Sequence, residues 1–279
     1  MSLCSRRHLL TSLAAAAVFP VESLRTASAR ITTGATVGTR FPAPAGYVRT
    51  PASESSFAGW LQRLPLLPDG APVLLHTGAS KARQDLHAAV IDIDIGPRDL
   101  QQCADAVMRL RAEWLFATGR HDEIAFNDTG GGGPMRWSRW AAGERPVPHA
   151  NRLVWSKRAP ADNSRASFRR YLDTVFSWAG TYSLERELVP VPARDIEVGD
   201  VVIKGGFPGH AVLVVDAVHA VGDGERRVLL AQSYMPAQSI HILKNTGEPA
   251  LSPWYHIRDG SPVPTPEWDF PAGTLRRWR

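Results

Sequence analysis

The chain has two cysteines in 279 residues, Cys4 and Cys103. That scarcity excludes a fold stapled by several disulfides and a cysteine-rich zinc site. Histidine is commoner, but His76, His87, His121 and His149 show no ligand spacing, so neither a metal nor a cofactor is expected. The run Gly130–Gly133 lacks the Lys-Ser/Thr that completes a phosphate-binding loop and reads as a flexible loop. Charge is sparse as well: charged residues make up 21% and the net charge is +5. No block of Lys or Arg stands ready to neutralise a phosphate backbone, so nucleic acid is not an expected partner. There are no internal repeats.

The first 29 residues have a character of their own. Arg6 and Arg7 precede an Ala-rich apolar run over 9–21, and Ala27-Ser28-Ala29 offers small residues for cleavage. This is the order of an export signal, and the run is too short to span a bilayer as a helix. Ser5-Arg6-Arg7-His8-Leu9-Leu10 resembles the twin-arginine export signal. The expected organisation is a signal peptide over 1–29 and one domain over 30–279, exported to the periplasm or beyond, with no integral membrane segment left. Loss of Arg6, Arg7 and Arg25 against Glu22 leaves that domain at +3. Cys103 is then its lone thiol.

A domain of this length buries a core without staples, and its apolar spacing divides into two regimes. Phe57, Trp60, Leu61 and Leu64 predict a short helix after a capping serine. Strands are expected in "PVLLHTG" and in "LHAAVIDIDIG". Leu100, Cys103, Ala104, Val107, Leu110, Trp114 and Leu115 recur at three and four, which predicts a helix capped by Asp99 and ended by Gly119. Phe168, Leu172, Val175 and Phe176 predict another, ended by Gly180. From Val198 the pattern turns to alternation, with strands expected at 201–203, 211–218 and 227–233 and a hairpin at Gly222–Glu225. The Pro- and Trp-rich tail reads as a surface wrap. Helices followed by an antiparallel meander predict an α+β fold.

Two residue types in this frame carry chemistry. Cys103 falls in the first turn of its helix, where free N–H groups and the helix dipole favour a thiolate. A nucleophilic thiol also needs a base. His210 opens a strand behind Gly205, Gly206, Pro208 and Gly209, and the glycines allow a close approach by substrate, with Gly209 adjacent to the base. The imidazole needs an orienting group. Asp216 shares a face with His210 but lies about 20 Å along the strand at ~3.3 Å per residue. The hairpin instead returns Gln232 beside His210, with Ser233 or Tyr234 in its place if the register slips. Gln101 and Gln102 are the available side-chain donors for an oxyanion. Arg109 and Glu113, four apart, are expected to form an ordinary ion pair. Asp92 and Asp94 read as a solvated face.

"QQCADAVMRL" followed by "GDVVIKGGFPGHAVLVVD" resembles the papain-like cell-wall amidases of the NlpC/P60 and CHAP groups, over about residues 99–233. The resemblance implies a helix carrying the nucleophile packed on an antiparallel sheet, with a polar third residue on the strand after the histidine. Two departures stand out: a long insert between Cys103 and His210, and an oxyanion donor sought only at the adjacent Gln101 and Gln102 and not at a Gln or Tyr well ahead of Cys103. "FPAPAGYVRT", "SFAGWLQRLPL", "DLQQCADAVMRLRAEWL", "LLAQSYMPAQSIHILKN" and "LSPWY" resemble an exported bacterial family catalogued as domain of unknown function 4846, a label that implies no activity. Together these readings lead to an exported cysteine hydrolase or acyl transferase acting on an amide or ester. Cys103, His210 and Gln232 are its expected catalytic residues. Gln102, Gly209 and Tyr234 are expected to bind substrate, and a cell-wall peptide is the expected substrate. The alternative is an envelope protein that binds glycan or peptidoglycan without turnover.

Overall fold

Alternating apolar residues in the second half of the chain build the sheet on which everything else is mounted. The computed structural model describes residues 34–149, 152–222 and 224–279; the expected signal peptide and Cys4 lie outside them. Among the described residues one sheet contains β1 (Tyr47–Arg49), β2 (His87–Val90), β3 (Val189–Pro190), β4 (Val201–Lys204), β5 (His210–Ala220), β6 (Arg226–Gln232), β7 (His241–Leu243) and β8 (Leu275–Arg277). Their order is β2-β7-β6-β5-β4-β8-β3, every pairing is antiparallel, and β1 adds to the distal end of β5.

Strand alternation sends side chains to two separate cores. Val201, Ile203, Ala211, Leu213, Leu229 and Ala231 face the helices. Val202, Val212, Val214, Val228, Leu230 and Leu243 face the other way. The helical side carries α1 (Phe57–Gln62), α2 (Cys103–Ala117), α3 (Arg165–Trp178) and α4 (Thr181–Glu187). The tail closes the second face, burying Tyr255, Ile257, Val263 and Phe270 and contributing β8 to the sheet. It is a core layer and not the expected surface wrap, because β4–β7 are apolar on both faces and each face needs a cover. The fold is thus mixed α+β with a large antiparallel sheet. No helix among the described residues is long and apolar enough to cross a membrane.

Three local expectations are corrected. "PVLLHTG" forms isolated bridges, Leu74 to Ser80 and Leu75 to Gln238, and no strand. The strand expected through Ile95 ends at Val90. Asp94 instead turns toward α2 and pairs with Arg109 at 3.0 Å and Arg169 at 3.5 Å. Finally, α2 is not capped by Asp99. Gln102 is the cap residue, and its N–H donates to Asp105 Oδ2 at 3.1 Å. Asp99 Oδ1 accepts from the Ala237 N–H at 2.6 Å and the Gln102 amide at 3.0 Å, which ties the approach to α2 onto the loop after β6. Cys103 is therefore the first helical residue.

Nearly the whole circumference of α2 is buried. Its apolar stripe meets the sheet, and a second row at every fourth residue (Gln101, Asp105, Arg109, Glu113) is buried too. Arg109 ties three carboxylate or amide oxygens together: Nε donates to Glu113 Oε1 at 2.7 Å, Nη1 to Gln101 Oε1 at 2.9 Å and Nη2 to Asp94 Oδ2 at 3.0 Å. The expected ion pair is present, and it is a structural network that keeps a buried guanidinium paired.

Candidate active site

The end of the sheet where β5 begins and β6 ends is where the chemistry-bearing residues gather. Cys103 is delivered there by the N-terminus of α2 and is 9% exposed. The N–H groups of Cys103, Ala104 and Ala211 face its sulfur. Ala211 is the second residue of β5, so the thiol stands against the strand one residue from His210. The two side chains come from different layers. Cys103 approaches from the helical side, while His210 alternates with Val212 and Val214 onto the tail side. Among the described residues the thiol makes no hydrogen bond to the imidazole.

His210 is 2% exposed. Its ring lies edge-on to Tyr234 at 4.9 Å and packs against Trp268 at 5.5 Å and Phe270 at 5.6 Å, both from the tail. Nε2 meets Gln232 Oε1 at 2.8 Å. Nδ1 makes no hydrogen bond among the described residues. The structure thus brings Gln232 into hydrogen-bond contact with His210.

A break in register selected Gln232 over Ser233. From Arg226 to Leu229, β6 pairs with His219 to Asp216 in step, and then Leu230 pairs with Val214. The skipped residue, Val215, shifts all that follows by one. Gln232 then shares the His210 face. Ser233 turns to the helical side, where its Oγ lies 2.8 Å from the carbonyls of Gln101 and Gln238. Without the shift His210 would share its face with Ser233 and not with Gln232.

Burial overrides the helix N-terminus at the thiol. Desolvation, with Asp105 acting in the same direction, pushes Cys103 up to about 11 against the opposing N–H groups. Desolvation also pulls His210 down to about 4, the Gln232 bond opposing and Lys81 assisting. The thiolate expected from the helix start is therefore absent at neutral pH, and at rest Cys103 is a thiol and His210 a neutral imidazole. The charge on a buried sulfur loses more hydration than the first turn of α2 returns.

Beyond the expected triad stands a layer that sequence spacing did not reveal. Gln232 Nε2 donates to Glu267 Oε2 at 2.7 Å, and Glu267 pairs with Lys81 Nζ at 2.5 Å. His241, fully buried, lies 3.4 Å from Gln232 Nε2 and is directly opposite Gln232 across the β6–β7 pair. The strand alternation of "SIHILK" offered a signal for His241. Nothing local announces Lys81 or Glu267, which come from a loop and from the tail.

The remaining expected binding residues are placed as follows. Tyr234 lies against the His210 ring and its hydroxyl donates to the Glu267 carbonyl at 3.2 Å. Gln102 gives one amide hydrogen to Asp99. Gln101 is drawn away to Arg109, with its Nε2 buried and unpartnered. Asp216, excluded on distance, is buried at the other end of β5 with Arg49 at 2.8 Å and Gln62 at 2.8 Å. A cavity of about 290 Å³ lined by Thr50, Gln62 and His219 also lies at that far end, away from Cys103.

Gly209 supports the site through close packing. A Cβ there would stand 2.3 Å from Thr181 Oγ1, 2.6 Å from the Lys204 carbonyl and 2.8 Å from the Gly206 carbonyl. The turn into His210 closes onto α4 because this position has no side chain. Gly209→Ala is expected to cost about 1–3 kcal/mol, as overpacking does, read as a lowered Tm in thermal unfolding. An unchanged Tm would show that the turn has room to yield.

Compared with known proteins, residues 37–277 match the family described as domain of unknown function (4846). No curated protein matches the chain. No solved structure matches it either.

Proposed function

The chain belongs to that family of domains of unknown function, and we propose from the site itself that it is a cysteine hydrolase or acyl transferase acting on an amide or ester. The observation that carries this reading is the meeting at one sheet end of the Cys103 sulfur against the Ala211 N–H and the neighbouring His210 bonded to Gln232. The arrangement resembles that of the papain-like cell-wall amidases, and a cell-wall peptide is the proposed substrate. Residues 1–29 would deliver the protein there as an export signal of twin-arginine type.

In the proposed reaction a substrate carbonyl enters between thiol and ring. The sulfur bonds to the carbonyl carbon while its proton passes to His210 Nδ1. The new oxyanion faces the N–H groups at the start of α2, with Gln102 as the neighbouring side-chain donor. The C–N or C–O bond then breaks, and the leaving group takes the proton from Nδ1. Water, or an amine in the transfer case, attacks the thioester with Nδ1 again as base; the C–S bond then breaks, and the sulfur takes back the proton from Nδ1. A resting thiol suits this sequence: the proton moves as the sulfur attacks, and no buried charge is stored beforehand. Loose dyad contacts before substrate arrives are common in such sites.

The test is to incubate residues 30–279 with soluble peptidoglycan fragments and search for an acyl adduct on Cys103 by mass spectrometry. An adduct on Cys103 that is lost in His210→Gln is expected. Retention of the fragments with no adduct and no cleavage, unchanged in Cys103→Ala, would favour the second reading, a glycan- or peptide-binding envelope protein. That reading has its own observation. Phe207, in the turn before His210, is 82% exposed, and its ring lies 5.8 Å from that of Tyr182. Exposed aromatic faces of this kind suit stacking on a ligand.

A further inference from the structure

We propose that Glu267, held by Lys81, is a positioning residue: it locks the Gln232 amide and thereby fixes which nitrogen of His210 carries the proton. The inference concerns the ring's tautomer, and its catalytic meaning rests on the hydrolase reading above.

The argument is one of donors and acceptors. An ionised carboxylate only accepts. Glu267 Oε2, 2.5 Å from the Lys81 ammonium, therefore requires that the atom of Gln232 facing it at 2.7 Å be the NH2 group. The opposite corner of the amide is then Oε1, which also only accepts. It lies 2.8 Å from His210 Nε2, so Nε2 bears the hydrogen. Neutral imidazole has one N–H, which leaves Nδ1 as the basic nitrogen.

A second chain of reasoning reaches the same orientation from another side. His241 Nδ1 lies 2.8 Å from the Ser239 carbonyl and must donate to it. His241 Nε2 is then an acceptor, and the Gln232 atom 3.4 Å away must again be the NH2 group. Both hydrogens of that group have acceptors and the oxygen has a donor. A rotated amide would set its oxygen against the Glu267 carboxylate and against the lone pair of His241, and its NH2 against the ring of His210. His210 would then have to present a bare Nε2 and carry its hydrogen on Nδ1, the nitrogen the proposed reaction needs as a base.

Of the two locks, the Glu267 contact is shorter and charge-assisted. Glu267→Leu removes the acceptor and leaves the longer His241 contact alone. Glu267→Gln keeps an acceptor oxygen. The structure thus separates a loss of bulk from a loss of the lock, since the glutamine matches the glutamate in shape.

The experiment is two-bond 1H–15N correlation NMR of the His210 ring in the full chain at neutral pH, assigned by loss of its peaks in His210→Gln. Expected are the Nε2–H pattern in the wild type and in Glu267→Gln, and loss of that pattern to a mixture or to Nδ1–H in Glu267→Leu. If an acyl adduct forms on Cys103, its rate of formation should fall tenfold or more in Glu267→Leu and recover in Glu267→Gln. Lys81→Met/Glu267→Met removes the pair without leaving a buried lysine unpaired, and it should show the same ring pattern as Glu267→Leu if that variant does not fold. A wild-type ring in the Nδ1–H form overturns the inference, as does an Nε2–H ring retained in both leucine and methionine variants. The expected tautomer shift without any adduct in the wild type upholds the positioning role and overturns the hydrolase reading.

Discussion

Turnover by Cys103→Ala is expected to fall by about four orders of magnitude or more, and His210→Gln by a similar factor, with the double variant little worse than either. A loss of four orders corresponds to about 5.5 kcal/mol of transition-state stabilisation. The expectation follows from the resting protonation state. With the thiol pushed up to about 11 by burial, almost no thiolate exists at neutral pH, and attack requires that the proton leave as the C–S bond forms. In the proposed reaction His210, the neighbour of Ala211 on the strand that Cys103 meets, is the base that takes this proton. Removing either partner disables the same step, so the losses should not add. Gln232→Ala should cost less, because an unoriented imidazole still visits the productive state. Single-turnover release of a peptide from peptidoglycan fragments measures all four variants. Small losses that add in the double variant would mean that Cys103 and His210 act independently and are not a dyad.

The second large effect concerns Asp105, two residues beyond Cys103. Its carboxyl is buried, Oδ2 accepts the Gln102 N–H, and Oδ1 has no partner. Desolvation raises it well above the ordinary carboxylate value of 3.8. In the folded protein it keeps its proton where the unfolded chain has lost one. Its contribution to stability is thus complete below the unfolded value and declines as pH rises through the interval up to the folded value. Asparagine reproduces the protonated shape and cannot ionise. Asp105→Asn should therefore match the wild type near pH 3 and become the more stable protein at higher pH. The difference should grow by about 1.4 kcal/mol per pH unit until Asp105 ionises in the folded state, then stay constant. Urea unfolding of both proteins across pH measures the difference directly, since all other titrating groups are common to the two. Equal stability at pH 8 would mean that Asp105 is ionised and solvated in the folded chain. The same proton matters to the site, because the charge of an ionised Asp105 is one of the causes that raise the thiol.

Much of the architecture was legible because periodicity is a local property. The apolar stripe of α2, the helix α3 that stops at Trp178 before Gly180, and the alternation of β4, β5 and β6 each repeat within a few residues. Alternation over two or three residues was less informative, as the bridges at Leu74 and Leu75 and the short β2 show. The tail was misread because its cover role depends on a second apolar sheet face. Val202, Val212 and Val214 advertise that face, while nothing in a Pro-rich segment says which surface it will meet.

For the candidate site, residue type and hairpin geometry by themselves determined that Cys103 lies in the first turn of a helix, that His210 begins a strand, that Gln232 or a neighbour returns beside it, and that Asp216 is out of reach. Tertiary structure decided the rest. The skipped Val215 chose Gln232 over Ser233, because one residue of register exchanges the two faces of a strand. Packing of Trp268 and Phe270 from the tail removed water from His210 and lowered its basicity, and burial under α2 kept the proton on Cys103. Lys81 and Glu267 were joined across most of the chain to hold the Gln232 amide. These are effects of desolvation and of contact between distant segments, and neither is written into any short stretch of residues.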